Sequence, residues 1–221
     1  NELHKGDLEP FPTAQRVLHL APDHPDAEQV ALKWQQAWRA YHAGRFAEAV
    51  DTALEIGPMA HAVANKASGI YADYLEDDES RKLEIYQSGI ERAEAATQAY
   101  PDDPNAHYFY AFLLGRYSQC ISVAKALAQG VGGKIRHSLD RALELAPKHA
   151  EARTASGLYH AEIIDKVGKL VGGMTYGAKA DIAISECQAA LKLTPMAPIA
   201  HIEYGNALYL LYGDRRLDDS N

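Results

Sequence analysis

The chain has 221 residues, 47% of them apolar and 24% charged, which suits a globular protein with a sizeable core rather than a disordered one. A net charge of −8 argues against nucleic acid as the main partner, and no apolar run approaches the about 18 residues of a membrane span. The two cysteines, Cys120 and Cys187, lie far apart without a CxxC. They read as buried free thiols, which suits a reducing compartment and excludes the usual thiolate zinc site.

Taken in chain order, residues 1–12 are an N-terminal extension, followed by one continuous solenoid over 13–221. Its predicted elements are a half-unit helix at 13–20, then hairpins of 26–43 with 46–56 and 59–75 with 79–99. Two longer hairpins follow, 104–128 with 133–145 and 148–171 with 177–193, and a lone helix at 197–212. The punctuation is a recurring helical tail that ends in proline, "RVLHLAP", "DTALEIGP", "AATQAYP", "RALELAP" and "QAALKLTP". Proline resists extending the helix before it and favours the first turn of the next, so each phrase marks a stop and a start. The prolines (Pro22, Pro58, Pro101, Pro147, Pro195) recur at 36 to 48 residues without strand-like alternation, which means stacked helical hairpins and an all-α fold. Within units, Leu139, Ala142, Leu143 and Ala146 fall at helical spacing. Ten residues after the later prolines stand Ser68, Ala111, Gly157 and Gly205, small side chains that let paired helices approach.

The stretches "GRFAEAVDTALEIGP" (44–58) and "RALELAPKHAEARTASGLYHAE" (141–162) resemble the tetratricopeptide repeat family. That resemblance implies a right-handed α-α superhelix over nearly the whole chain from about residue 13. The departure is length, because the later first helices are predicted to run near 25 residues and to overhang their partners by about 15 Å. The overhangs stay apolar, with Ile121, Val123, Ala124 and Leu127 in one and Ile163, Ile164, Val167, Leu170 and Val171 in the other. Either they pack together or they receive a partner. Extended repeats of this kind look similar to those of regulator-of-microtubule-dynamics proteins and of helical-repeat components associated with periplasmic TRAP-type solute transporters. The helix at 197–212 would be left with one uncapped apolar face, covered by residues beyond Asn221 or by another chain, and a homo-oligomer through that helix is one expectation.

The glycine turn in "ALAQGVGGKIRHSL" (126–139) invites a phosphate-loop reading and fails it, with Ala128 where glycine is needed and Ile135 where Ser or Thr is needed. It reads instead as a turn that ends an overlong helix, with a related turn in "KLVGGMTYGAK" (169–179). Ten histidines show no HExxH and no ligand spacing, and His107 and His201 stand at equivalent repeat positions, which a structural role explains. No GxSxG occurs and neither cysteine has a local sign of activation. The expectation is a non-enzyme with no cofactor and no metal.

The tetratricopeptide resemblance implies a concave groove lined by first helices. Carried over, its positions are Asn65 with Gly69, Tyr108 with Phe112, Thr154 with Leu158, and Ile202, Asn206 and Tyr209. Counting back from Gly44 adds Trp34, Trp38 and Tyr41. These aromatics either line the groove or pack within the superhelix. A second candidate is the basic edge of Arg116, Lys125, Lys134 and Arg136, a stretch (115–137) without an acid, whereas 73–103 holds ten acids and three bases. That edge suits an acidic partner. The expected function is a protein-interaction scaffold that takes a peptide or helix in the groove or along the overhang. The alternative is a small-molecule-binding accessory of a solute transport system. The start at Asn1 rather than Met suggests a processed or trimmed terminus. The expected compartment is cytoplasmic, or periplasmic if an export signal preceded it.

Overall fold

A computed structural model describes residues 13–213, so the predicted extension at 1–12 and the tail from 214 lie outside the described residues. The fold is all-α, built of stacked helical hairpins, with no strand among the described residues. Two compact units share these residues, with the division after Ile121. The first holds α1 (Ala14–Leu20), α2 (Ala27–His42), α3 (Phe46–Ile56), α4 (His61–Tyr74), α5 (Glu79–Ala99) and α6 (Pro104–Gln119). The second holds α7 (Val123–Ala128), α8 (Val131–Leu145), α9 (Ala150–Val167), α10 (Lys169–Tyr176), α11 (Ala180–Leu193) and α12 (Pro198–Tyr212).

The proline phrase is a repeated joint. At Ala21, Tyr100, Ala146 and Thr194, each just before a proline, φ lies between −132° and −138° and ψ between 64° and 84°. Proline's ring drives its predecessor out of the helical region, so four helices end in one conformation. After three of these joints, the side chain six residues beyond the proline donates a hydrogen bond to the proline carbonyl. The donors are His107 Nε2 to Pro101 (2.8 Å), Arg153 Nε to Pro147 (2.8 Å) and His201 Nε2 to Pro195 (2.9 Å). The matched histidines are therefore structural. Pro58 differs: Gly57 has φ +96°, and a single 3-10 turn (Pro58–Ala60) leads into α4.

In the first unit consecutive helices pack together, and α2, α4 and α6 also meet as neighbours. Its core is rich in alanine, with Ala37, Ala53, Ala60 and Val63 fully buried around Trp34 and Met59. Leu113 is also fully buried, close against Gly89. Short side chains let the backbones approach, and glycine goes furthest where a side chain from another helix fills its place. A Cβ on Gly69 would stand 2.6 Å from the Phe112 ring. Arg16 of α1 reaches across 87 residues of sequence to Asp103, which also caps α6; Nη2 donates to Oδ1 at 2.8 Å. In the second unit α9 packs against α11. A Cβ on Gly157 would collide with Cys187 Sγ and stand 2.9 Å from the Ala183 carbonyl oxygen.

The structure corrects the two long helices. Neither 104–128 nor 148–171 is continuous: α6 stops at Gln119, and α9 stops at Val167. Ser122 adopts an extended conformation and its Oγ accepts the Lys125 amide (3.2 Å), so α7 starts anew on its own cap. Gly168 takes φ +81° and ψ 157°, which only glycine adopts cheaply, and separates α10 from α9. The overhangs are short separate helices that fold onto their neighbours, α7 on α8 and α10 on both α8 and α9. The paired glycines are corrected too. Gly132 with Gly133 and Gly172 with Gly173 lie inside α8 and α10, while Gly130 and Gly177 carry the left-handed turns.

Candidate functional site

Two surfaces hold the residues singled out from sequence, one in each unit. In the first unit Trp34, Asn65 and Tyr108 are buried, so these three belong to the packing of the unit. Asn65 has a partner that spacing did not suggest. Arg92 of α5 donates from Nε to Asn65 Oδ1 (3.1 Å) and from Nη2 to Ser68 Oγ (2.8 Å). His61 Nδ1 donates to the Arg92 carbonyl (2.9 Å), and burial holds the pKa of His61 below its ordinary value. This is a knot between α4 and α5.

Trp38, Tyr41 and Phe112 are half-buried and are already furnished with cations from their own unit. Lys66 Nζ lies 5.8 Å from the Trp38 ring centre and 5.9 Å from that of Tyr41. The Arg116 guanidinium sits 5.5 Å over Phe112, and its Nε lies 3.0 Å from Asp73 Oδ2. Asp73 in turn accepts from the Tyr86 hydroxyl at 2.5 Å, and burial first, then that bond, pushes the Tyr86 pKa well up. Arg116 therefore belongs to an internal cluster of the first unit.

In the second unit Thr154 turns its hydroxyl inward, donating to the Ala150 carbonyl of its own helix (3.2 Å). Leu158 packs against the buried Ala161, Ala183, Cys187 and Ala207. Asn206 and Tyr209 are exposed on α12, where Asn206 Nδ2 donates to Glu203 Oε2 (2.9 Å). The basic edge divides further here. Arg136 donates from Nη1 to the carbonyls of Tyr176 (3.0 Å) and Gly177 (3.2 Å) and from Nε to Asp140 (2.8 Å). It thereby caps the C-terminal end of α10, where a cation suits the helix dipole. Lys125 and Lys134 stay exposed.

Around that cap lies a ledge made by α7, the start of α8, and α10. The Tyr176 ring fills the place of a side chain at Gly132 (3.0 Å), and Ile163 does the same at Gly172 (3.2 Å), so these glycines let α10 close on α8 and on α9. Leu170 is 75% exposed and Met174 81%, with Val123, Leu127 and Val171 exposed as well. The same segments carry exposed lysines, Lys125, Lys134, Lys169 and Lys179, and Lys166, which pairs with Glu162 (3.5 Å). The segments 122–139 and 166–180 contain no acid. The sequence singles out Val123, Leu127, Leu170, Val171, Lys125 and Lys134 and the acid-free run 115–137, but not Met174 or the lysines of 166–179, whose signal is the lack of acids in that second segment.

Neither cysteine is activated as a thiolate. Burial pushes the Cys187 thiol up to about 12, and burial also raises Cys120. His160, buried beneath the ledge, accepts the Lys179 amide on Nδ1 (3.3 Å). Desolvation first, then the nearby Arg136 charge, lowers its pKa to about 4. Among the described residues, no helix is long and apolar enough to cross a membrane.

Compared with curated proteins, the chain has no significant match. Residues 58–166, from the turn before α4 almost to the end of α9, match the family model described as regulator of microtubule dynamics protein 1-3. The match takes in just under half of the chain, and over that stretch the chain is similar to this family of helical proteins.

Proposed function

We propose that the chain is a non-catalytic, tetratricopeptide-type interaction scaffold whose contact surface is the ledge of α7, α8 and α10. The occupant is an acidic amphipathic helix. The observation that carries this reading is the ledge itself: exposed apolar side chains set among exposed lysines in acid-free segments, within a chain of net charge −8. Full burial of a Leu or Met side chain contributes about 1.5–3 kcal/mol. The lysines add attraction that salt screens over about 10 Å at 0.1 M. The first-helix groove is the lesser surface, because Trp34, Asn65 and Tyr108 are buried and Arg116 and Lys66 already sit on the aromatic rings.

The test is binding of a designed acidic amphipathic helical peptide, followed by fluorescence anisotropy across a salt series. Binding that weakens with salt, is lost in Leu170→Asp with Met174→Asp, and fails with the charge-reversed peptide supports the ledge. Equal binding of both peptides would sink it. A large thermal shift from one metabolite in a broad library would favour the small-molecule accessory role instead. The matched family is described as regulating microtubule dynamics, and co-pelleting with assembled microtubules checks directly whether that description carries over.

A further inference from the structure

Apolar burial does little to hold α10 in place. Of its own residues only Gly172 is buried, with Ala178 buried in the joint just beyond, while Leu170, Val171 and Met174 are exposed. Two glycines with positive φ bracket the helix, Gly168 at +81° and Gly177 at +63°. A Cβ on Gly168 would meet nothing within 4 Å. A short element, hinged at both ends and lightly packed, is where a fold opens locally at the lowest cost.

What holds α10 is a polar latch at its C-terminal end. Arg136 of α8 donates to the carbonyls of Tyr176 and Gly177, and the Tyr159 hydroxyl donates to the same Tyr176 carbonyl (3.4 Å). The Lys179 amide donates to Nδ1 of His160, a ring that is only 2% exposed. Nδ1 accepts that amide only while it carries no proton. Protonation sets two N–H groups against each other and places a second cation near Arg136, away from water.

Arg136 and Asp140 act on the ring from α8, and Lys179 and Asp181 act on it where α11 begins. On its own helix the Tyr159 ring lies edge-on at 5.4 Å. The one charged residue of α10, Lys169, stands at the opposite end of that helix, and Glu203 of α12 acts on Cys187. The two carboxylates favour a proton on His160 but do not outweigh burial and Arg136.

We propose that α10 is a flap hinged at Gly168 and Gly177, and that a proton on His160 releases it. Opening returns the ring to water, where a histidine titrates near 6.5 rather than at about 4. By linkage the open population is smallest above pH 6.5 and grows as pH falls toward 4, reaching about thirtyfold at pH 5. Leu170, Val171 and Met174 leave with the flap, so acid also takes the ledge apart; that consequence alone rests on the ledge reading.

Amide hydrogen exchange of the full chain, corrected for the intrinsic effect of pH and repeated in dilute urea, tests the flap. Residues 169–179 should exchange about thirtyfold faster at pH 5 than at pH 8. Dilute urea should leave their rate unchanged, since local opening exposes little surface, while α9 and α11 stay slower and speed up with urea. In His160→Asn, Oδ1 takes the place of Nδ1 and binds no proton, so α10 should stay protected at both pH values. A second variant, Tyr176→Ala, loosens α10 without changing a charge. It should move the His160 titration, followed by NMR, up from about 4 toward 6.5. Equal protection of α10 at pH 5 and pH 8 overturns the proposal. So does a pH response that survives His160→Asn, exchange of α10 that follows urea with the rest of the unit, or a His160 titration that Tyr176→Ala leaves unmoved. No peptide enters these measurements, so the flap and the ledge reading can fail separately.

Discussion

The two units use similar residues to opposite ends. In 13–121 the cations are spent inside the unit: Arg116 on Phe112 and Asp73, Lys66 over Trp38 and Tyr41, Arg92 on Asn65 and Ser68. In 122–213 Arg136 holds α10 and Arg153 is tied to Pro147 and Glu186, while Leu170, Val171 and Met174 stay exposed on segments that carry exposed lysines. Whether an aromatic or a cation serves a partner is decided by what its own unit places beside it. Leu32, Tyr74 and Leu75 of the first unit are exposed as well, so the difference lies in where the cations go rather than in apolar exposure alone.

The contrast can be broken by mutation, starting where packing is tightest. Leu113→Ala in the first unit should cost about 2–5 kcal/mol in urea unfolding, as a fully buried leucine leaves a cavity. A loss below 1 kcal/mol would mean that this core is looser than its burial implies. Acid should act hardest on the second unit, because burial lowers the pKa of His160 to about 4. The unfolded chain, with a histidine near 6.5, binds the proton more readily, so stability is present above pH 6.5 and is lost as pH falls toward 4. The loss is about 3 kcal/mol, and His160→Gln should flatten it in unfolding measured across that window.

Equivalent glycines sharpen the comparison further. Gly157→Val should destabilise by about 1–3 kcal/mol or more, since Cys187 and the Ala183 backbone must move. Gly205→Ala should stabilise by up to about 1 kcal/mol, as open space receives the methyl and a helical glycine is removed. Thermal melts of both variants read the difference. The smallest effect is expected on the ledge. Leu170→Asp with Met174→Asp should change stability by less than about 0.5 kcal/mol, because neither side chain is buried. A large loss would show that the ledge is structural.

Helix boundaries were legible wherever proline, a cap or a strong apolar period set them. The predicted 46–56 and 79–99 match α3 and α5, because Pro58 and Pro101 and the Asp78 cap act locally. The breaks at 120–122 and at Gly168 were not legible. The apolar period runs through both, and a lone serine or glycine is tolerated inside a helix. The paired glycines read as turns because their helical role rests on contacts with Tyr176 and Ile163, distant in sequence or on another helix. Register likewise places Asn65 and Tyr108 on first helices, but cannot tell that Arg92, 27 residues away, claims the asparagine. For the ledge, composition held the signal: two acid-free segments whose nearness only the fold reveals.

The joints themselves are graded along the chain. Those after α5, α8 and α11 are each latched by a side chain from the following helix onto the proline carbonyl. After Pro22 and Pro58 the same position holds Glu28 and Ala64, which have no proton to donate there. Amide hydrogen exchange should therefore run fastest around α1 to α3 and slow markedly beyond Pro101. A chain held more firmly toward one end would unzip from the other, and the order of unzipping would be written in one residue per repeat.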